Sequence, residues 1–262
     1  MAHYLRLFLT YLKMGVLAEL EYRANFWIQL VQTGMELALA LGGLAVVFRH
    51  TGDLGGWRPP ELLALLGVYF VIGGLIRTMV RPSMQKFMED IRKGTLDFTL
   101  TKPADAQVLV SIQRFELWKI TDLGVGVALL VIALGRLSGT VGLAQAAMFG
   151  LTLLSGGLIV YSVWLILATF SFWFVKVENI LVIFMTMYEA ARWPVTIYPP
   201  WLRWLLTFLI PVAFATTVPA EAVTGRLNGA TLALSAGMAA GLLVLSRRFW
   251  LYGLRFYSGA SA

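Results

Sequence analysis

Few side chains in this 262-residue chain are equipped for chemistry, and those few sit where a charge is hard to keep. Glu36, Arg77, Asp122 and Glu189 fall inside or at the edges of long apolar runs. A charge at mid-membrane depth costs roughly 2.5–3.5 kcal/mol on insertion scales, so it turns toward protein or water. The chemistry open to such groups is ion pairing, proton relay or the lining of a pathway. Glu36, near the middle of the first apolar run, either lines a pathway or bonds a neighbouring helix. Arg77 and Asp122, late in the second run and early in the third, read as interfacial groups that could pair with each other. Glu189 is the second pathway candidate, and with Arg192 three residues on it also makes a local ion pair.

Other chemistries lack their residues. There is no Cys, so no disulfide and no thiolate metal site, and the two histidines, His3 and His50, have no second ligand nearby. No metal site is expected. No G-x-x-x-x-G-K-[ST], G-x-S-x-G, H-E-x-x-H or C-x-x-C occurs. The chain should therefore neither hydrolyse ATP nor catalyse a reaction by itself.

The elements that hold these groups are membrane spans. Hydrophobic residues make up 59% of the chain and charged ones 13%, against about a quarter charged in soluble domains. The expectation is an all-α polytopic membrane protein forming one domain over residues 1–262. A helix needs about 20 apolar residues to cross the hydrocarbon core. Six runs qualify or nearly so: Phe26–Phe48, Glu61–Val80 closed by Arg81-Pro82, Ile120–Leu137, Leu143–Phe174, Ile180–Trp193 and Thr231–Trp250. Before them, Leu5, Phe8, Leu9, Leu12 and Val16 form one stripe, with Arg6 and Lys13 off it. Residues 1–24 read either as an interfacial helix or as an extension of the first span.

Five of the nine prolines fall in residues 194–219. That segment reads as a re-entrant hairpin, with an ordinary seventh span as the rival. Gly237 and Gly241 form a G-x-x-x-G suited to close helix packing, within the subunit or across a dimer. Trp193, Tyr198, Trp201 and Trp204 cluster around the hairpin, and Trp250, Tyr252 and Tyr257 near the last span's inner end, as belts at the two membrane faces.

Charge sets the orientation. With six spans and the N-terminus inside, 15 of the 21 basic residues lie on the cytoplasmic side, among them Arg77, Lys86, Arg92, Lys93, Lys102, Lys176 and Arg247. The positive-inside bias puts both termini and residues 81–119 in the cytoplasm. It also explains the net charge of +7 without nucleic acid.

Residues 81–119 hold the most telling stretch, Ser83–Pro103. Met84, Phe87, Met88 and Ile91 share one face of a helix, charged residues cover the rest, and Gly94 follows as a stop. Beyond it Leu96, Phe98 and Leu100 alternate with polar residues, giving a strip with an apolar edge that Pro103 ends. The stretch is either a tidy interfacial loop or a docking element for a soluble partner.

The charged helix followed by G-T-L-D-F-x-L-x-K-P and Gln107 resembles the permease subunits of ABC-2 type transporters. The resemblance is to a bacterial branch formerly classed as a domain of unknown function, and it covers essentially the whole chain. It implies a coupling helix near Ser83–Lys93 docking on a separate ABC ATPase dimer that carries ATP and Mg. The docking residues would be Phe87, Ile91, Leu96 and Phe98 for apolar contact, with Glu89, Asp90, Arg92, Asp97 and Lys102 as polar contacts between Gly94 and Pro103 or just before them. It further implies a second permease subunit, identical or paralogous, in the bacterial cytoplasmic membrane among its lipids. No cofactor is expected on this chain. The rival function is a secondary transporter or channel driven by an ion gradient, for which Glu36 and Glu189 would titrate. Scarce ionisable groups and no evident internal repeat count against it.

Overall fold

The structure, a computed structural model, describes residues 2–20, 23–137, 142–174 and 177–259. Lys176, counted above on the cytoplasmic side, lies outside them. The described elements are α1 (Ala2–Leu20), α2 (Arg23–His50), α3 (Pro59–Leu75), α4 (Arg81–Lys93), α5 (Asp97–Leu100), α6 (Ala106–Ile112), α7 (Ile120–Arg136), α8 (Leu143–Thr169), α9 (Glu178–Glu189), α10 (Pro200–Trp204), α11 (Val212–Ala215), α12 (Thr217–Val223) and α13 (Gly229–Gly253). The fold is all-helical.

Five helical runs are long and apolar enough to cross a membrane: Ala24–His50, Pro59–Lys93, Leu117–Arg136, Leu143–Phe172 and Gly229–Phe256. The count reaches six if Pro200–Leu209 and Val212–Val223, bent by 71°, form one span. The run expected at Ile180–Trp193 is only α9, 12 residues, prolonged by the 3-10 turn Ala190–Arg192. By length alone it falls short of a bilayer. The bend follows from Pro211, which has no N–H to donate into the helix before it.

Both flanks of the bent pair meet the same loop. Trp57 donates its indole N–H to Thr196 at 3.3 Å, and Arg226 donates to the Gly56 carbonyl and pairs with Glu61 at 3.3 Å. The opposite end of the molecule gathers other parts. Lys102 Nζ donates to the Tyr11 hydroxyl at 3.0 Å, Arg247 grips Asp105, and Gly259 lies against the Asp97 carboxylate.

The second span does not stop at Arg81-Pro82. It continues through a π-helical turn, Ile76–Val80, straight into α4, a helical run of 35 residues. A proline inside an α-helix clashes with the carbonyl four residues back. The wider π turn just before Pro82 displaces that carbonyl, so the chain stays helical where a break is expected.

Helix α3 is apolar all round and buried along nearly its whole length, as the central helix of a membrane domain must be. It meets α7 almost backbone to backbone. A Cβ on Gly126 would lie 2.6 Å from the Val71 nitrogen, and one on Gly74 2.8 Å from the Leu123 nitrogen. Small residues permit this approach, and dispersion between backbones rewards it. Gly126→Ala should therefore lower the thermal unfolding temperature, with a cost of about 1–3 kcal/mol for overpacking. Gly124→Ala, on the same helix with nothing within 4 Å, should be neutral or slightly stabilising. Equal melting of the two variants would refute this packing. Gly237 and Gly241 have nothing within 4 Å, so their G-x-x-x-G face is open within this chain.

Helices α2 and α13 are peripheral. Only 6% of the most apolar window of α2 is buried, and 17% of that of α13. Trp250, expected in an interfacial belt, is instead 1% exposed and packs its ring 4.8 Å from that of Phe87.

Candidate functional site

Two polar constellations stand out, one at the end that gathers α1, Lys102 and Asp105, and one within the spans. The first contains the expected docking segment. α4 ends at Gly94, whose φ of +69° is a left-handed cap that a side chain would strain. The Gly94 N–H reaches the Ile91 carbonyl at 3.1 Å, and that of Thr95 reaches the Asp90 carbonyl at 2.8 Å. The strip beyond is not extended. It turns at once into α5, because Leu96 is drawn fully into the core and the chain must curl around it.

The expected contact residues divide accordingly. Phe87 and Leu96 are wholly buried and Phe87 packs against Phe172 and Trp250, so neither can press into a partner in this conformation. Asp90 is buried too, accepting from Lys86 Nζ at 2.6 Å and the Thr95 hydroxyl at 2.8 Å. Its work is to fasten the helix end. Glu89 is held by Lys93, and Ile91 is half-buried. Asp97 faces the C-terminal residues around Gly259. What remains on the surface is Arg92, Lys93, Phe98, Leu100, Lys102 and Pro103, and Phe98 is 72% exposed.

Behind this surface lies a knot that sequence reasoning missed. Arg247 on α13 donates to both Asp105 oxygens, at 2.9 and 2.5 Å, and to Gln107 Oε1 at 2.9 Å. Asp105 also caps α6 through the Gln107 and Val108 N–H groups. Gln107 Nε2 donates to the Tyr161 hydroxyl on α8, which bonds Ser111 at 2.8 Å. The Arg247 hydrogen bonds, followed by those from α6, hold the Asp105 carboxyl below its ordinary range against partial burial. The sequence signal for the cap, Asp105 followed by Ala-Gln-Val, was available. The partner, 142 residues away, was not.

The second constellation joins three spans. Arg77 Nε donates to Asp122 Oδ2 at 2.6 Å, while Asp122 Oδ1 accepts from the Thr33 hydroxyl and from Gln29 Nε2 at 3.4 Å. Glu36 stands 3.9 Å from Arg77 Nη2, and its side chain is half exposed on α2. Arg77 Nη2 is buried with no hydrogen-bond partner. Glu189 does not join this group. It lies 3.8 Å from Arg192 and faces outward. No three His, Cys, Asp or Glu side chains gather as a metal ion would require, among the described residues.

The described residues form a helical protein with several membrane-crossing helices, two of whose embedded charges, Arg77 and Asp122, are joined in a buried ion pair. Residues 35–261 match the family described as ABC-2 family transporter protein, and the chain belongs to that family. It is a membrane subunit of an ABC transporter, a non-catalytic component whose family works with an ABC ATPase. No curated protein and no solved structure matches the chain.

Proposed function

We propose that this chain is half of the translocation pathway of an ATP-driven exporter in the bacterial cytoplasmic membrane, and that it docks on its ATPase through the surface from Arg92 to Pro103. The observation that carries the docking is Phe98. It is 72% exposed, lies in the chain between Arg92-Lys93 and Lys102, and follows the end of the second span after a three-residue turn. An apolar anchor with a charged rim is what a soluble partner's groove recognises. Coupling then runs into the second span directly and into α8 and α13 through Phe172, Trp250 and Arg247.

Six crossings with both termini cytoplasmic fit the contacts at the two ends. α1, residues 94–119 and the C-terminus share one end, while both flanks of the bent pair share the other. That favours α9 as a short crossing and the bent pair as re-entrant. A second permease subunit would cover α2 with its half-exposed Glu36 and the open Gly237–Gly241 face.

The double variant Phe98→Glu, Leu100→Glu should fold normally, since both side chains are exposed. It should no longer co-purify with the ATPase subunit, and transport should fall about tenfold or more, equivalent to about 1.4 kcal/mol of lost coupling. Co-purification and transport at wild-type levels would remove this surface from the interface.

A further inference from the structure

A cleft of about 680 Å³ opens between α1, the foot of α2 and the segment before α7. Apolar side chains line part of it, the exposed Met14 and Ile28 and the buried Phe115, and α1 is held there by the edge-on contact of Phe8 with Phe115 at 5.6 Å. Four charged side chains line the same cleft: Glu19, Arg114, Glu116 and Lys119. Among the described residues the Arg114, Glu116 and Lys119 side chains have no hydrogen-bond or ion-pair partner. Glu19 is fixed in place, accepting from the Trp118 backbone N–H at 3.0 Å. The indole N–H of Trp118, another lining residue, is buried without a partner.

Among the described residues, two cations and two carboxylates around one mouth, beside exposed apolar side chains, match a ligand with opposite charges at one end and a hydrocarbon body. We infer that this cleft binds a zwitterionic glycerophospholipid, phosphatidylethanolamine, from the adjoining leaflet. Arg114 and Lys119 take the phosphate, through the guanidinium fork and the ammonium. Glu19 and Glu116 take the ethanolamine nitrogen, whose primary ammonium offers three N–H donors. A quaternary choline offers none and is instead recognised by stacked aromatic faces. The first acyl carbons lie on Met14, Ile28 and Phe115. Burial raises the Glu19 carboxyl above its ordinary range despite the Trp118 hydrogen bond, and an ammonium beside it would offset that burial.

The inference needs only the membrane setting that the family provides, and neither ATP nor the ATPase. Native mass spectrometry of the purified permease, with equal additions of phosphatidylethanolamine, phosphatidylcholine and phosphatidylglycerol, tests it. The wild type should retain phosphatidylethanolamine about tenfold in preference to either other lipid, a difference of about 1.4 kcal/mol. Arg114→Gln with Lys119→Gln should abolish retention. Glu116→Gln, which leaves the Glu19–Trp118 bond intact, should erase the preference over phosphatidylglycerol. Arg58→Gln, at the other end of the molecule, should change nothing. Equal retention of the three lipids by the wild type, or a preference untouched in both cleft variants, overturns the site. Because no nucleotide is present, that result would leave the ATPase-docking reading standing, and loss of docking would leave this one standing.

Discussion

Asp122→Ala is expected to destabilise the membrane domain by about 3–5 kcal/mol, the loss seen when one partner of a buried ion pair is removed. The Arg77 residue is 8% exposed and Asp122 1%. Without the carboxylate, the guanidinium keeps only Glu36 at 3.9 Å, and Thr33 and Gln29 lose their shared acceptor. Thermal unfolding in detergent should drop by on the order of 10 °C. The decisive comparison is Arg77→Leu combined with Asp122→Leu. Removing both leaves no fully buried charge unpaired, so this double variant should melt well above the single one. A double variant no more stable than Asp122→Ala would mean that the pair is not what secures these helices.

Arg247→Ala should separate ATP hydrolysis from transport. Arg247 is the one described link that binds the last span at once to Asp105, to Gln107 and, through Gln107, to Tyr161 on α8. The pair is partly exposed, so its loss should alter folding stability only modestly. Its geometric role is larger, because it ties the segment behind the docking surface to two spans. In the assembled complex, nucleotide hydrolysis should continue while transport per ATP falls about tenfold or more, some 1.4 kcal/mol of coupling. Arg247→Lys, a point charge that cannot span both Asp105 oxygens and Gln107, should be intermediate. Asp105→Asn should keep the α6 cap and lose the ion pair. An unchanged transport-to-ATP ratio in Arg247→Ala would refute the role. The pH dependence has a definite sign. A depressed carboxyl contributes stability above its unfolded value, about 3.9, and loses it as pH falls through the folded value. The ratio should thus be flat between about pH 5 and 8.

Five of the six expected spans were legible because about 20 apolar residues in a row have few other uses; the shorter run at Ile180–Trp193 gave no such signal. The Arg77–Asp122 pair was legible for the same reason: a charge in such a run must find its opposite. The face Met84–Phe87–Met88 was legible as a face, but not what covers it. In a soluble protein an apolar face points inward. Here the outward faces of α2 and α13 are apolar as well, so hydropathy loses its sign. That is why Phe87 reads as a docking knob and is found under Trp250. The run through Pro82 was hidden because a π turn has no composition of its own. Arg247 was visible only as a positive charge on the inner side, since nothing local points from it to Asp105.

The unbroken run from Pro59 to Lys93 has a mechanical consequence. At 1.5 Å per residue it is a lever of about 50 Å, with one arm beside the Trp57 loop and the other carrying the proposed docking surface. Its fulcrum is the π turn, and Arg77 sits inside it. A push on the short arm then needs no hinge loop to reach the membrane interior. It bears first on the one place where the rod is loosely wound, and there the load falls on a single buried ion pair.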